Sequence, residues 1–120
     1  MKRKRTKRKK AATSRVLDDL YKVIQRRKKA NPEISRTARL FKQGRGKIAQ
    51  KTGEEAVEVI VAALHETPRK VVAESADLLY HLLVLWAERG VRPRDVFKEL
   101  SARVGVSGIE EKKSRSKKKK

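Results

Sequence analysis

Residues 67–90 constrain this chain more than any other stretch. Thr67-Pro68 reads as a helix N-cap with proline at the first helical position, where its missing N–H costs nothing. Gly90 reads as the residue just past the helix end. Between these signals lie Leu78, Leu79, Leu82, Leu83, Val84, Leu85 and Trp86. A helix that is apolar nearly all round is buried on most sides. A short helical chain can hardly cover such a helix alone, so a second copy is expected to help bury it.

The remainder also reads as helices. Val16, Leu17, Leu20, Val23 and Ile24 recur at helical spacing and predict an amphipathic helix from Ser14 to about Ala30. Thr13 or Ser14 can cap it, Asp18 and Asp19 suit its positive end, and Asn31-Pro32 stops it. Ser35 can cap a short helix carrying Ala38, Leu40 and Phe41, which Gly44-Arg45-Gly46 should break into a flexible basic loop. A long helix is expected from about Lys47 to His65, despite Gly53 inside it, and a last one starts at Pro93 with Val96, Phe97 and Leu100. No alternating strand pattern and no repeat occurs. The expected fold is all-α: a compact bundle of four to five helices with one modest core.

The net charge of +20 would fit a nucleic-acid binder, but its distribution points elsewhere. Residues 1–10 carry eight Lys/Arg and residues 112–120 carry seven, while all 14 acidic residues lie between Asp18 and Glu111. The middle therefore holds 19 basic and 14 acidic residues, a net of only +5. We expect residues 1–12 and 105–120 to be disordered basic tails, capable of weak contact with any polyanion, around a folded domain at 13–104. With two Phe, two Tyr and one Trp there is no aromatic-interleaved RNA surface. The chain lacks cysteine, which excludes disulfides and thiolate metal sites and fits a reducing compartment. No apolar run approaches the roughly 20 residues needed to span a bilayer, and no apolar h-region follows the basic start. A cytoplasmic location without membrane contact is expected.

The chemistry lies on the two most apolar helices. The third carries Glu54, Glu55 and Glu58, an E-E-x-x-E run; the fourth carries Glu74 and Asp77, an E-x-x-D pair. Glu55 and Glu58 fall on one helix face, as do Glu74 and Asp77, and His81 points nearly the same way. Such runs also serve as solvated faces with i,i+4 partners, and Lys51 stands where it can pair with Glu55. Two pairs on the two most buried helices argue equally for a cation site. Carboxylates converging between apolar helices repel one another unless a cation neutralises them. Hard oxygen donors without cysteine favour Mg²⁺ or Mn²⁺, and magnesium accepts substrate phosphates.

At these residues the sequence resembles the phosphoribosyl-ATP pyrophosphatase family, within the wider MazG-like helical pyrophosphohydrolases. The matching segments are Val16–Tyr21, Ser35–Phe41, Lys47–Glu58 and Glu74–Leu85, which span most of residues 15–100. The resemblance implies an all-α dimer that hydrolyses phosphoribosyl-ATP to phosphoribosyl-AMP and pyrophosphate with Mg²⁺, the second step of histidine biosynthesis. It carries the metal-ligand role to Glu55, Glu58, Glu74 and Asp77. Glu54, with Glu55, is a candidate for handling the attacking water. Lys51, Lys47, Thr37, Arg39 and His81 become candidate substrate contacts. The family usually reads S-Y-T-A-K where this chain has Ser35-Arg36-Thr37-Ala38-Arg39; Arg39 keeps the charge and Arg36 replaces an aromatic. Two other readings stand beside this one. One is a house-cleaning nucleoside triphosphate pyrophosphohydrolase of the same fold. The other is a non-enzymatic, nucleic-acid-associated protein acting through its tails.

Overall fold

The computed structural model describes residues 12–105 together with Lys112, Lys113 and Arg115. The chain forms α1 (Arg15–Arg27), α2 (Arg36–Gln43), α3 (Arg45–His65), α4 (Pro68–Arg89) and α5 (Pro93–Arg103). There is no strand among the described residues. The all-α expectation therefore holds. The proposed tails, 1–12 and 105–120, lie almost wholly outside the described residues.

α4 begins and ends as its sequence dictates. The Thr67 hydroxyl accepts the Lys70 N–H at 3.2 Å, and Pro68 opens the helix. Gly90 adopts φ 74°, and the Gly90 and Val91 amides turn back to the Ala87 and Trp86 carbonyls. Those bonds satisfy carbonyls that have no helical partner. Ser35 caps α2 in the same manner, its Oγ accepting the Ala38 N–H at 3.1 Å. α1 ends at Arg27, three residues before Ala30, because the chain turns before Asn31-Pro32.

The expected loop at Gly44-Arg45-Gly46 is not formed. Gly44 alone joins the two helices: at φ 97° it ends α2, and its carbonyl accepts the Ile48 N–H of the first turn of α3. That backbone conformation is open essentially to glycine only. Arg45 and Gly46 sit in the first turn of α3, where amides need no helical partner.

α3 and α4 form an antiparallel hairpin whose register is visible in three places. Arg45 Nε meets Glu88 Oε1 at 2.6 Å, the Thr52 hydroxyl reaches the His81 carbonyl at 3.4 Å, and Glu55 lies beside Glu74 and Asp77. The core sits at one end of this hairpin, where Tyr21 and Ile24 of α1, Leu40 of α2, Ile48 of α3 and Leu83, Val84 and Ala87 of α4 pack together. The Tyr21 hydroxyl donates to the Val91 carbonyl at 2.7 Å and ties α1 to the α4–α5 link.

Burial of α4 is not as complete as its composition suggests. Its buried residues are His81, Leu83, Val84 and Ala87, all in the C-terminal half. In the other half Val72 is 58% exposed, and Leu79, at the midpoint of the helix, is 41% exposed. Val57, Ile60, Val61 and Leu64 on the facing half of α3 are also exposed. Among the described residues α1 and α2 cover only one end of the hairpin, so these aliphatic side chains stay open on the other.

Candidate active site

The open half of the hairpin carries the acidic residues. Glu55 from α3 and Glu74 and Asp77 from α4 each offer a carboxylate oxygen, and the three oxygens lie within 4.8 Å of one another. The register explains this. Glu74 and Asp77 are nearly one turn apart on the same face of α4, and the antiparallel pairing sets Glu55 opposite them. Lys70 Nζ approaches Glu74 Oε2 at 3.4 Å and offsets part of the repulsion. Three oxygens from three carboxylates, with room for water on the exposed side, fit a hard divalent cation.

Glu58 lies one turn further along α3, exposed and outside this triangle. Glu54 is exposed and turned along its own helix. It accepts from Gln50 at 2.8 Å and faces Lys51 Nζ at 3.4 Å. Lys51 thus pairs with Glu54 rather than Glu55. The Gln50 hydrogen bond, then Lys51, holds the Glu54 carboxyl below the usual glutamate value. Lys47 is exposed one turn before Lys51 and adds to the positive field on Glu54.

His81 is 1% exposed. Its Nε2 lies 3.1 Å from a terminal nitrogen of Arg36. A guanidinium only donates, so Nε2 accepts and the neutral ring carries its proton on Nδ1. Burial, then the positive charges of Arg36 and Lys51, pushes the imidazole below its ordinary pKa, against a weaker opposing pull from Asp77. The Arg36 guanidinium also lies 5.0 Å from the ring centre of Tyr80, whose hydroxyl is 2.6 Å from the hydroxyl of buried Thr37. Arg39 turns away, its Nε donating to the Pro32 carbonyl at 3.2 Å.

The structure therefore brings together Glu55, Glu74 and Asp77, and separately links Arg36, Thr37, Tyr80 and His81 at the next turn of α4. Sequence reasoning named most of these residues but passed over two. Arg36 entered only as a departure from a pattern, and Tyr80 only as part of the matching segment Glu74–Leu85. The signal available was the Ser35 cap, which places exposed Arg36 and buried Thr37 in the first turn of α2.

Fold and site together define the class: an all-α protein whose central hairpin carries a carboxylate cluster with the geometry of a cation site. The sequence profile described as phosphoribosyl-ATP pyrophosphohydrolase matches residues 17–104. The chain belongs to that family. It is 61% identical over 108 residues to the phosphoribosyl-ATP pyrophosphatase of Paramagnetospirillum magneticum, which covers 90% of this chain and 99% of the relative. It is 60% identical over 102 residues to that of Rhodospirillum rubrum, covering 85% and 87%. With the Azospirillum brasilense protein of the same name it shares 54% over 100 residues, covering 83% and 90%.

Proposed function

We propose that this protein hydrolyses phosphoribosyl-ATP, adding water across the α–β phosphoanhydride to give phosphoribosyl-AMP and pyrophosphate, in the histidine pathway of the cytoplasm. The observation that carries the reading is the convergence of Glu55, Glu74 and Asp77 in a chain of this family. These three, with Glu58 as the fourth ligand, would hold Mg²⁺ or Mn²⁺. A divalent ion there supplies neutralisation of phosphate charge and a lowered pKa for a bound water. The protein's own contributions surround it. Lys47 and Lys51, one turn apart on α3, offer positive charge to the triphosphate. Glu54, kept ionised by Gln50 and Lys51, is an acceptor that orients the attacking water and takes up its proton after attack.

We further assign the exposed aliphatic face of α3, made by Val57, Ile60, Val61 and Leu64, to a homodimer interface. An aliphatic helix face left exposed in this way is unusual on a monomer. Among the described residues no helix is long and apolar enough to cross a membrane.

Pyrophosphate release from phosphoribosyl-ATP and from a panel of nucleoside triphosphates, with and without Mg²⁺, tests the reading. Turnover of phosphoribosyl-ATP that needs the metal and drops by about 10²-fold or more in Glu55→Gln is the expected result. Equal turnover of ordinary triphosphates would move the protein to the house-cleaning relatives. The absence of metal-dependent turnover would refute the enzymatic reading. Sedimentation of a stable monomer at micromolar concentration would remove the dimer.

A further inference from the structure

Next to the acidic cluster the fold encloses a second, oppositely charged site. A cavity of about 470 Å³ opens where the end of α1, the α1–α2 connection, the start of α2 and Tyr80 of α4 meet. Its lining includes Arg27 and Arg36 and no carboxylate. Resting on the phosphoribosyl-ATP reading, we propose that this cavity binds a phosphomonoester: the phosphate on the substrate's second ribose, which ordinary nucleoside triphosphates lack.

Four features carry the assignment. The first is charge: two guanidiniums face a group that bears about −1.5 to −2 at neutral pH. The second is geometry. Arg36 is held from two sides, by His81 Nε2 at 3.1 Å and by the Tyr80 ring at 5.0 Å. Its planar fork is therefore fixed, while its other N–H groups have no protein partner among the described residues. Arginine in such a setting matches phosphate oxygens two at a time, with little ordering left to do on binding. The third is the local backbone. Arg36 and Thr37 open α2, where their amides have no helical acceptor, and the cap hydroxyl of Ser35 is already committed to Ala38. The fourth is position. Tyr80 follows Asp77 by less than one turn of α4, so the cavity and the carboxylate cluster are neighbours along one helix. A substrate with a triphosphate at one end and a phosphoribosyl group at the other can engage both. An adenine ring suits the cavity less well, since Arg36 already occupies a face of Tyr80.

The cavity is thereby a specificity site for the proposed reaction. Arg27 gives the cleaner variant, because its side chain makes no hydrogen bond or ion pair within the described residues. Steady-state kinetics on the full-length protein in saturating Mg²⁺ should show KM for phosphoribosyl-ATP rising by about 10-fold or more in Arg27→Gln, with the change in KM rather than kcat. Arg36→Gln should do the same, and Arg36→Lys should recover part of the loss. Ribose 5-phosphate should compete with substrate in the parent, ribose should not, and the competition should vanish in Arg27→Gln. Titration of the full-length protein with ribose 5-phosphate, followed by NMR, reports the same site without turnover. An unchanged KM in Arg27→Gln overturns the proposal. So does ribose 5-phosphate binding that is equal in parent and variant, or competition by adenosine in its place. If the parent binds ribose 5-phosphate through Arg27 yet does not hydrolyse phosphoribosyl-ATP, the cavity stands and only the reading of the substrate falls.

Discussion

Replacing Asp77 by Asn should make the metal-free protein more stable and the magnesium-bound protein less so. The three carboxylate oxygens of Glu55, Glu74 and Asp77 lie within 4.8 Å of one another. Two unit charges at that separation repel by about 1 kcal/mol in water-like surroundings and by roughly 3 kcal/mol at an effective dielectric of about 20. Asp77 is exposed and Lys70 shields Glu74, so the lower figure applies to each pair. Asn keeps the shape and removes two of the three repulsions, a gain of about 1–2 kcal/mol. For a domain of this size that is on the order of 5–10 °C in Tm. In magnesium the order reverses, because the parent gains about 2.7 kcal/mol at a hundredfold excess over Kd and the variant loses most of that gain. Thermal melts in EDTA and across a magnesium titration, at fixed protein concentration, measure both effects. A variant that melts no higher than the parent in EDTA, and as high in magnesium, would refute the cation-site geometry.

Three further outcomes follow from the fold. Gly44→Ala should cost about 1–3 kcal/mol, since φ 97° strains any side-chain-bearing residue although a Cβ there would touch nothing within 4 Å; an unchanged denaturation midpoint would count against a rigid α2–α3 joint. Leu83→Ala, at a site with 0% exposure in the core, should cost about 2–5 kcal/mol by the same assay. His81 has a folded pKa below its unfolded value of about 6.5, so the unfolded chain takes the proton first. Stability should therefore fall as pH drops below about 6.5, until the folded pKa is reached, and His81→Gln should flatten that slope; parallel stability curves for the two proteins would sink this account.

The parts of the fold legible in the sequence are those decided by local chemistry. Thr67, Pro68 and Gly90 bound α4 because capping needs only neighbouring residues, and Ser35 marks α2 for the same reason. Gly44-Arg45-Gly46 misled because two glycines suggest a loop, whereas only Gly44 needs the positive φ and Gly46 falls where a helix tolerates it. The carboxylate cluster was half legible. Spacing put Glu55 with Glu58, and Glu74 with Asp77, but only the register of the hairpin decides that Glu55 is level with the α4 pair and Glu58 is a turn beyond. The basic cavity was not legible at all. Arg27, Arg36 and Tyr80 come from three separate helices, and nothing near any one of them in sequence announces the others.

The same register sets the cluster on the half of the hairpin that the described residues leave uncovered, which joins cation binding to the proposed dimer. A second copy that covers Val57, Ile60, Val61 and Leu64 and extends over the end of the hairpin that holds Glu55, Glu74 and Asp77 would displace water beside these carboxylates. Lower dielectric strengthens both the repulsion among the carboxylates and their attraction to a cation. Without metal, association would then be opposed by the repulsion; with metal it would be favoured, and the dimer would bind the ion more tightly than the monomer by the same factor. Analytical ultracentrifugation in EDTA and in magnesium reads this directly. The expected result is a dimer Kd several-fold lower in magnesium, with the difference much reduced in Asp77→Asn. Equal dissociation constants in the two conditions would show that the interface and the carboxylates are electrostatically independent, and that the aliphatic face and the cluster share the hairpin without sharing energy.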